Sequence, residues 1–416
     1  MTISGIRKIT SKAIKRKRAP KENEQNKNDD DSSDDTEGEQ EDDIDQRADR
    51  NMTPSQWQCF SESYHMNKHK KWILTSGTCV EDVLFENCKQ LQEESLLHSW
   101  IIDLDDNEVE RMFSKEDWAE IARGMKRLPQ VDEKFAKSIV RFAEVTTTTQ
   151  LREILEMTSF KKKDERYYRQ LHYDAEWADL VMWKLLTEFE DPNNALCKNH
   201  LEGWYDANVW SFIVHHSLRS IAGMELIRKE STTVASTARK NRKRTNGQRT
   251  KMGHRSDGIV RAYVNDIEYG AIEVSRDFKG ITGTKWLRDA HKLVKTLHDM
   301  LVRLCEFVHF EEGKTRQLQV VGLLHAGYVS VFKCEALNEV PVKVEKLKDL
   351  IKLLASVWQM KKMIMDCVLI VNNPSSQFAE EFLDEVINNG MKTPLSTIAL
   401  PWSLDTPMKL SIQKAK

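Results

Sequence analysis

Between residues 256 and 274 two short strand-like runs flank a turn signal, and this pattern constrains the fold more than any other feature of the chain. Residues 256–264, opening Ser256-Asp257-Gly258, read as a strand, Asn265-Asp266 as a turn, and 267–274 as a second strand, so the two form a hairpin. Helical spacing flanks the hairpin. Before it, 209–228 carries Trp210, Ile213, Val214, Leu218, Ile221 and Leu226 mostly on one stripe; after it, 282–310 carries Leu287, Leu293, Val294, Leu297, Leu301 and Leu304. Strands are expected again at 318–324 and 328–334 around Ala326-Gly327, then a helix over 344–363. Residues 366–372 either extend that helix or add a strand. Helix, two strands, helix, two strands, helix within one domain-sized stretch indicates a single α/β (α+β) domain over 206–375, with 376–416 as a C-terminal extension.

The preceding stretch, 51–205, is expected to be mainly helical. Helical intervals occur in 80–97, 131–145, 149–157 and 174–190, the last placing Trp177, Leu180, Val181, Leu185 and Phe189 on one face. Ser114 precedes Glu116 and Asp117 as an N-cap before Trp118 and Ile121. Lys161, Lys162 and Lys163 stand near Tyr167 and Tyr168, a pattern that reads first as a solvated helix end. His215-His216 lies inside a helix without an acidic partner one turn away and reads as packing rather than as a ligand pair.

Residues 1–50 contain too little apolar material for a core and read as a disordered charged tail. Lys15, Arg16, Lys17 and Arg18 form a compact basic cluster of the kind a nuclear import receptor binds, and an acidic block follows from Asp29 to Asp45. The formal net charge of −2 therefore conceals strong segregation. No apolar run is long enough to span a membrane and the basic N-terminus lacks a signal-peptide core, so neither a membrane nor secretion is expected. Seven scattered cysteines without a CxxC argue against a disulfide framework or a cysteine zinc site.

Arg239, Lys240, Arg242, Lys243, Arg244, Arg249, Lys251 and Arg255 give the stretch 239–255 eight cations and no acid, and it runs directly into Asp257. Such a stretch attracts a polyanion through its phosphates, whether DNA or RNA; a second import signal or a disordered loop is the competing reading. Asp257 on one strand and Glu273 on the next resemble the PD-(D/E)xK, restriction-endonuclease-like, nuclease pattern. The chain also resembles an expanded group of uncharacterised fungal proteins through Glu230, Ser236 and Arg239, then Arg255, Asp257 and Gly258, then Glu268, Gly270 and Glu273, then Gly283 and Lys285. The resemblance implies a core of helix, three strands, helix and strand, with a mixed sheet flanked by helices. It also implies acids at adjacent strand ends, a lysine two positions after the glutamate, and often a further glutamate from the preceding helix, here Glu230.

The chemistry has its own logic. Two adjacent carboxylates disfavour joint ionisation unless a cation lies between them. Mg²⁺ or Mn²⁺ supplies that cation and polarises a phosphodiester and its attacking water, while a lysine stabilises developing charge. The chain departs from the pattern at Ser275, where the lysine is expected. Lys285 and Lys292, one heptad apart at the start of the next helix, are the candidates to replace it, with Lys285 favoured because it lies in the first turn. The expected function is a nuclear, metal-dependent nuclease. The rival is a catalytically inactive nuclease-fold module that binds nucleic acid or a protein.

Overall fold

The computed structural model describes residues 51–66, 69–275, 278–280, 283–327, 329–331, 338–373 and 396–405. The charged tail, with Lys15, Arg16, Lys17 and Arg18, lies outside them.

A six-stranded mixed sheet runs in sequence order: β1 (Met224–Thr232), β2 (Arg255–Ala262), β3 (Glu268–Ser275), β4 (Val321–Ala326), β5 (Val329–Val331) and β6 (Asn338–Glu339). The pairings are antiparallel except between β3 and β4, which are parallel. A parallel pair needs a crossover, and the long helix between these strands provides it. The β2–β3 turn lies at Asn265-Asp266, where Asp266 takes φ 53, as expected for aspartate in a tight turn. All eight residues of β3 are buried, and it is one of the two central strands of the sheet. Gly270 pairs with Val321 of β4, and a Cβ there would stand 2.6 Å from the Val321 carbonyl oxygen, so only glycine fits this close approach.

Helices α1 (Pro54–Tyr64), α2 (Val80–Cys88), α3 (Asn107–Glu110) and α4 (Lys115–Arg123) enclose a smaller core around Phe60, Leu84, Cys88, Ile102 and Ile121. The Ser114 hydroxyl accepts from Asp117 N–H at 3.1 Å, as the cap pattern predicts. Helices α5 (Glu133–Val140), α6 (Thr148–Met157) and α7 (Arg169–Glu190) instead pack into the large core that contains the sheet, so the boundary expected near 205 falls inside that core. On α7, Trp177, Val181 and Leu185 are buried as expected, but Leu180 is exposed, because it points away from the face that meets the core. The helix expected over 80–97 stops at Cys88.

The helix expected over 209–228 is also shorter. A continuous helical stretch comprises α8 (Glu202–Tyr205), a π-helical segment (Asp206–His215) and α9 (His216–Leu218). Gly223, with φ +74, then turns the chain, and Met224 and Leu226 continue as β1. Leu226 is thus a strand residue, buried in the sheet core. Then come α10 (Val234–Asn241), α11 (Thr284–Phe307), α12 (Glu312–Thr315) and α13 (Leu347–Asn372). Residues 366–372 extend α13 rather than adding a strand; Cys367 is buried and Leu369 exposed, the alternation of a helix face. Among the described residues no helix is long and apolar enough to cross a membrane.

Candidate active site

The β2–β3 register pairs Gly258 with Ile272 and Ile259 with Ala271, which places Asp257 beside Glu273 at the next step of the ladder. Asp257 Oδ2 accepts the backbone N–H of Val274 at 2.7 Å, fixing this carboxylate against the end of β3. Glu273 is only 3% exposed. Burial, reinforced by the negative charge of Asp257, raises its pKa to about 7, although Lys292 and the neighbouring Ser256 hydroxyl favour the charged form. Its Oε1 is buried and makes no hydrogen bond.

Helix α11 lies across β3. Lys292 Nζ donates to Glu273 Oε2 at 2.7 Å, and Ser275 Oγ donates to Asp289 Oδ2 at 2.8 Å. Glu273 and Ser275 share a strand face two residues apart; Asp289 and Lys292 share a helix face three residues apart. Two parallel polar contacts therefore set the rotation of α11 so that the lysine reaches the glutamate. Lys285 is exposed in the first turn of the helix. The expectation that favoured it is corrected: the helix runs over the strand end at its third turn, not its first, so Lys292 and not Lys285 reaches Glu273.

Residues that the sequence reading did not single out lie beside this group. Lys295 Nζ donates to Glu94 Oε1 at 2.8 Å, and His291 Nε2 stands 3.6 Å from Glu94 Oε2. Burial alone would raise the pKa of Glu94, but His291 and Lys295 outweigh it and hold the value below the ordinary one. His254, just before β2, is driven to about 4 by burial and by the cations Lys240, Lys292, Arg239 and Lys295, so its imidazole is neutral. The signal for His291 and Lys295 was their spacing around Lys292 on one helix; Glu94 had none, because it arrives from a distant loop.

The basic stretch divides. Arg239, on α10, is 5% exposed and donates to Asp299 at 2.7 Å and to Asp405. It is a structural cation, which corrects its assignment to nucleic-acid binding: it is enclosed by carboxylates of α11 and the C-terminal segment. Lys240 Nζ donates to Met252 O at 3.0 Å at the loop base. Arg242, Lys243, Arg244, Arg249 and Lys251 occupy the exposed loop that follows, and among the described residues no carboxylate pairs with them. The loop is ordered from within: Asn241 Nδ2 donates to Lys251 O at 2.7 Å, and Arg244 donates to Gln248 O at 3.0 Å. Arg255 is exposed at the start of β2.

Glu230 lies on β1, not on a helix; its side chain is outside what the structure describes. Glu268, which shared its motif with Gly270 and Glu273, accepts from the N–H groups of Val234 and Ala235 at 2.8 and 2.9 Å and from Arg261 at 3.0 Å. It caps the start of α10 and is buried. His215 and His216 are half-buried, and burial lowers the pKa of both.

Asp257 and Glu273 suit a hard divalent cation, since a buried carboxylate oxygen without a hydrogen bond stands beside a second carboxylate. Among the described residues no group of three His, Cys, Asp or Glu side chains converges to hold a metal. Mg²⁺ characteristically takes one or two carboxylates and completes its shell with water and phosphate oxygens. No protein-family model matches the chain, and comparisons with curated proteins and with solved structures each return no match.

Proposed function

We propose that this chain is a divalent-metal-dependent nuclease-like protein of the PD-(D/E)xK kind that acts on nucleic acid. The observation that carries the reading is the contact of Lys292 Nζ with Glu273 Oε2 at 2.7 Å, next to Asp257 and an unbonded carboxylate oxygen. It supplies a lysine where Ser275 leaves none. The order of elements supports the reading: apart from α10, inserted between β1 and β2, the helical stretch before β1, then β1, β2, β3, α11 and β4 run in the order helix, three strands, helix and strand of that nuclease core.

Asp257 and Glu273 would hold Mg²⁺ or Mn²⁺, which would supply Lewis-acid polarisation to a phosphodiester and a water. Lys292 favours the charged form of Glu273 against burial and presents an ammonium to charge developing on phosphate. The loop of Arg242, Lys243, Arg244, Arg249 and Lys251 draws the polyanion towards this strand end without reading bases. The Lys15 to Arg18 cluster would bring the protein to the nucleus through an import receptor, which a fluorescent fusion with these residues neutralised would test. One observation favours the second reading, a non-cleaving nucleic-acid-binding module: the Lys292–Glu273 ion pair satisfies much of the site without a metal.

Cleavage of plasmid and single-stranded substrates with Mn²⁺ tests the proposal on wild type, Asp257→Asn, Lys292→Met and Lys285→Ala. Loss of cleavage in the first two variants, by at least about 100-fold, with Lys285→Ala unaffected, is the expected outcome. Binding of Mn²⁺ and nucleic acid without cleavage by the wild type would leave the binding-module reading.

A further inference from the structure

The cationic loop has no carboxylate partner among the described residues, yet the chain itself carries a matching polyanion. Residues 29–45 contain eleven acids and no base. We propose that this acidic segment docks on the loop of Arg242, Lys243, Arg244, Arg249 and Lys251 and competes there with nucleic acid, so that the chain restrains its own binding. The inference rests on the nucleic-acid reading only for the competition; the docking is argued from charge and reach.

Reach comes from where the described chain begins. Asn51 bridges to Glu93, and Met52 N–H donates to Gln92 O at 2.9 Å, which anchors the entry to α1. On α1, Cys59 Sγ lies 3.6 Å from Lys243 Nζ, so the basic loop rests against this same helix. From Pro54 to Cys59 is about 8 Å along the helix axis. Asp45 precedes Asn51 by six residues, which span up to about 20 Å when extended. The near end of the acidic segment is therefore tethered within reach of the loop, at an effective concentration in roughly the millimolar range.

The loop is also prepared for an anion. Its backbone is held by Asn241, Lys251, Arg244 and Gln248, so its cations need little ordering on binding. The competing occupant for the acidic segment is the tail's own basic cluster at Lys15 to Arg18.

Carbodiimide cross-linking of the full chain, which joins carboxylates to lysine amines in contact, reads the docking directly. Cross-links from 29–45 to Lys243 and Lys251 at about 50 mM salt, lost at about 500 mM, are expected. Cross-links to Lys15 and Lys17 in their place, or none to the loop, would overturn the proposal. In parallel, a full chain with the eleven carboxylates of 29–45 replaced by the matching amides should bind a labelled oligothymidylate at least about 10-fold more tightly at low salt, with the gap closing as salt rises. Equal affinity of the two chains would refute the competition. Failure of both chains to bind the oligonucleotide would count against the nucleic-acid reading alone, and the cross-links would still decide the docking.

Discussion

Glu273 makes stability and metal binding depend on pH in a way that can be calculated. Its ordinary pKa of 4.5 is raised to about 7 in the folded protein, chiefly by burial. The folded state holds this proton up to about pH 7, whereas the unfolded chain releases it near 4.5. The folded state therefore binds more protons across that window, and stability falls as pH rises through it. The interval between 4.5 and about 7, at roughly 1.4 kcal/mol per pH unit, corresponds to about 3 kcal/mol. This contribution is fully present below pH 4.5 and lost above about 7. The Glu273→Gln variant has no such titration, so the stability of wild type minus that of Glu273→Gln should fall by about 3 kcal/mol between pH 4.5 and pH 8. Urea unfolding at a series of pH values, read as the difference between the two chains, isolates this residue from every other titrating group. A divalent cation bound at Glu273 would favour the ionised form, so saturating Mn²⁺ should flatten the slope and release a proton on binding below pH 7. A flat difference between pH 4.5 and 8 without metal would refute the burial argument. A steep slope that Mn²⁺ leaves unchanged would refute the assignment of this carboxylate to a metal.

Three further outcomes follow from the same geometry. Glu94→Gln leaves Lys295 buried without its charge partner and should cost about 3–5 kcal/mol in urea unfolding; a loss below about 1 kcal/mol would show that the pair carries little. Gly270→Ala forces a Cβ against the Val321 carbonyl at 2.6 Å and should destabilise the sheet by about 1–3 kcal/mol, seen as a lower Tm. Neutralising Arg242, Lys243 and Arg244 together should reduce the salt dependence of single-strand binding, lowering the slope of log affinity against log salt by about 2; an unchanged slope would exclude these residues from phosphate contact.

The β2–β3 hairpin, and with it the adjacency of Asp257 and Glu273, was legible because its signals are largely local. The Asn265-Asp266 turn set the hairpin, and a one-residue shift in the ladder between Val260 and Arg261, which no sequence signal marked, completes the register that brings Asp257 beside Glu273. Other features depended on tertiary contacts that sequence spacing does not encode. Helical spacing over 209–228 concealed β1, because Leu226 fits a helix stripe as well as a strand face, and Gly223 was the breaking signal. Charge counting treated 239–255 as one cationic surface, yet Arg239 is enclosed by Asp299 and Asp405, which lie 60 and 166 residues away. Choosing between Lys285 and Lys292 required the crossing of α11 over β3, and that depends on Ser275 meeting Asp289.

Under the proposed nuclease reading, helix α11 accounts for a serine standing where the strand lysine is expected. Along one side of this helix, successive turns meet different elements: Asp289 meets Ser275, Lys292 meets Glu273, Lys295 meets Glu94, and Asp299 meets Arg239 and Ser403. Asp299 Oδ1 accepts from the Ser403 hydroxyl at 2.6 Å, and Leu404 N–H donates to Ser99 Oγ at 3.0 Å, so the C-terminal segment ties the helix to the smaller core. Buried ion pairs of this kind add little net stability, because desolvation offsets much of the attraction, but a misplaced helix would leave several of them unpaired at once. The row therefore specifies the rotation and height of α11. A lysine delivered from a helix needs that specification more than one delivered from the strand itself, since a shift of one helical residue would turn its side chain by about 100° away from Glu273. The smaller core, through Glu94 and Ser99, and the C-terminal segment, through Ser403, thus take part in placing Lys292 although neither touches it.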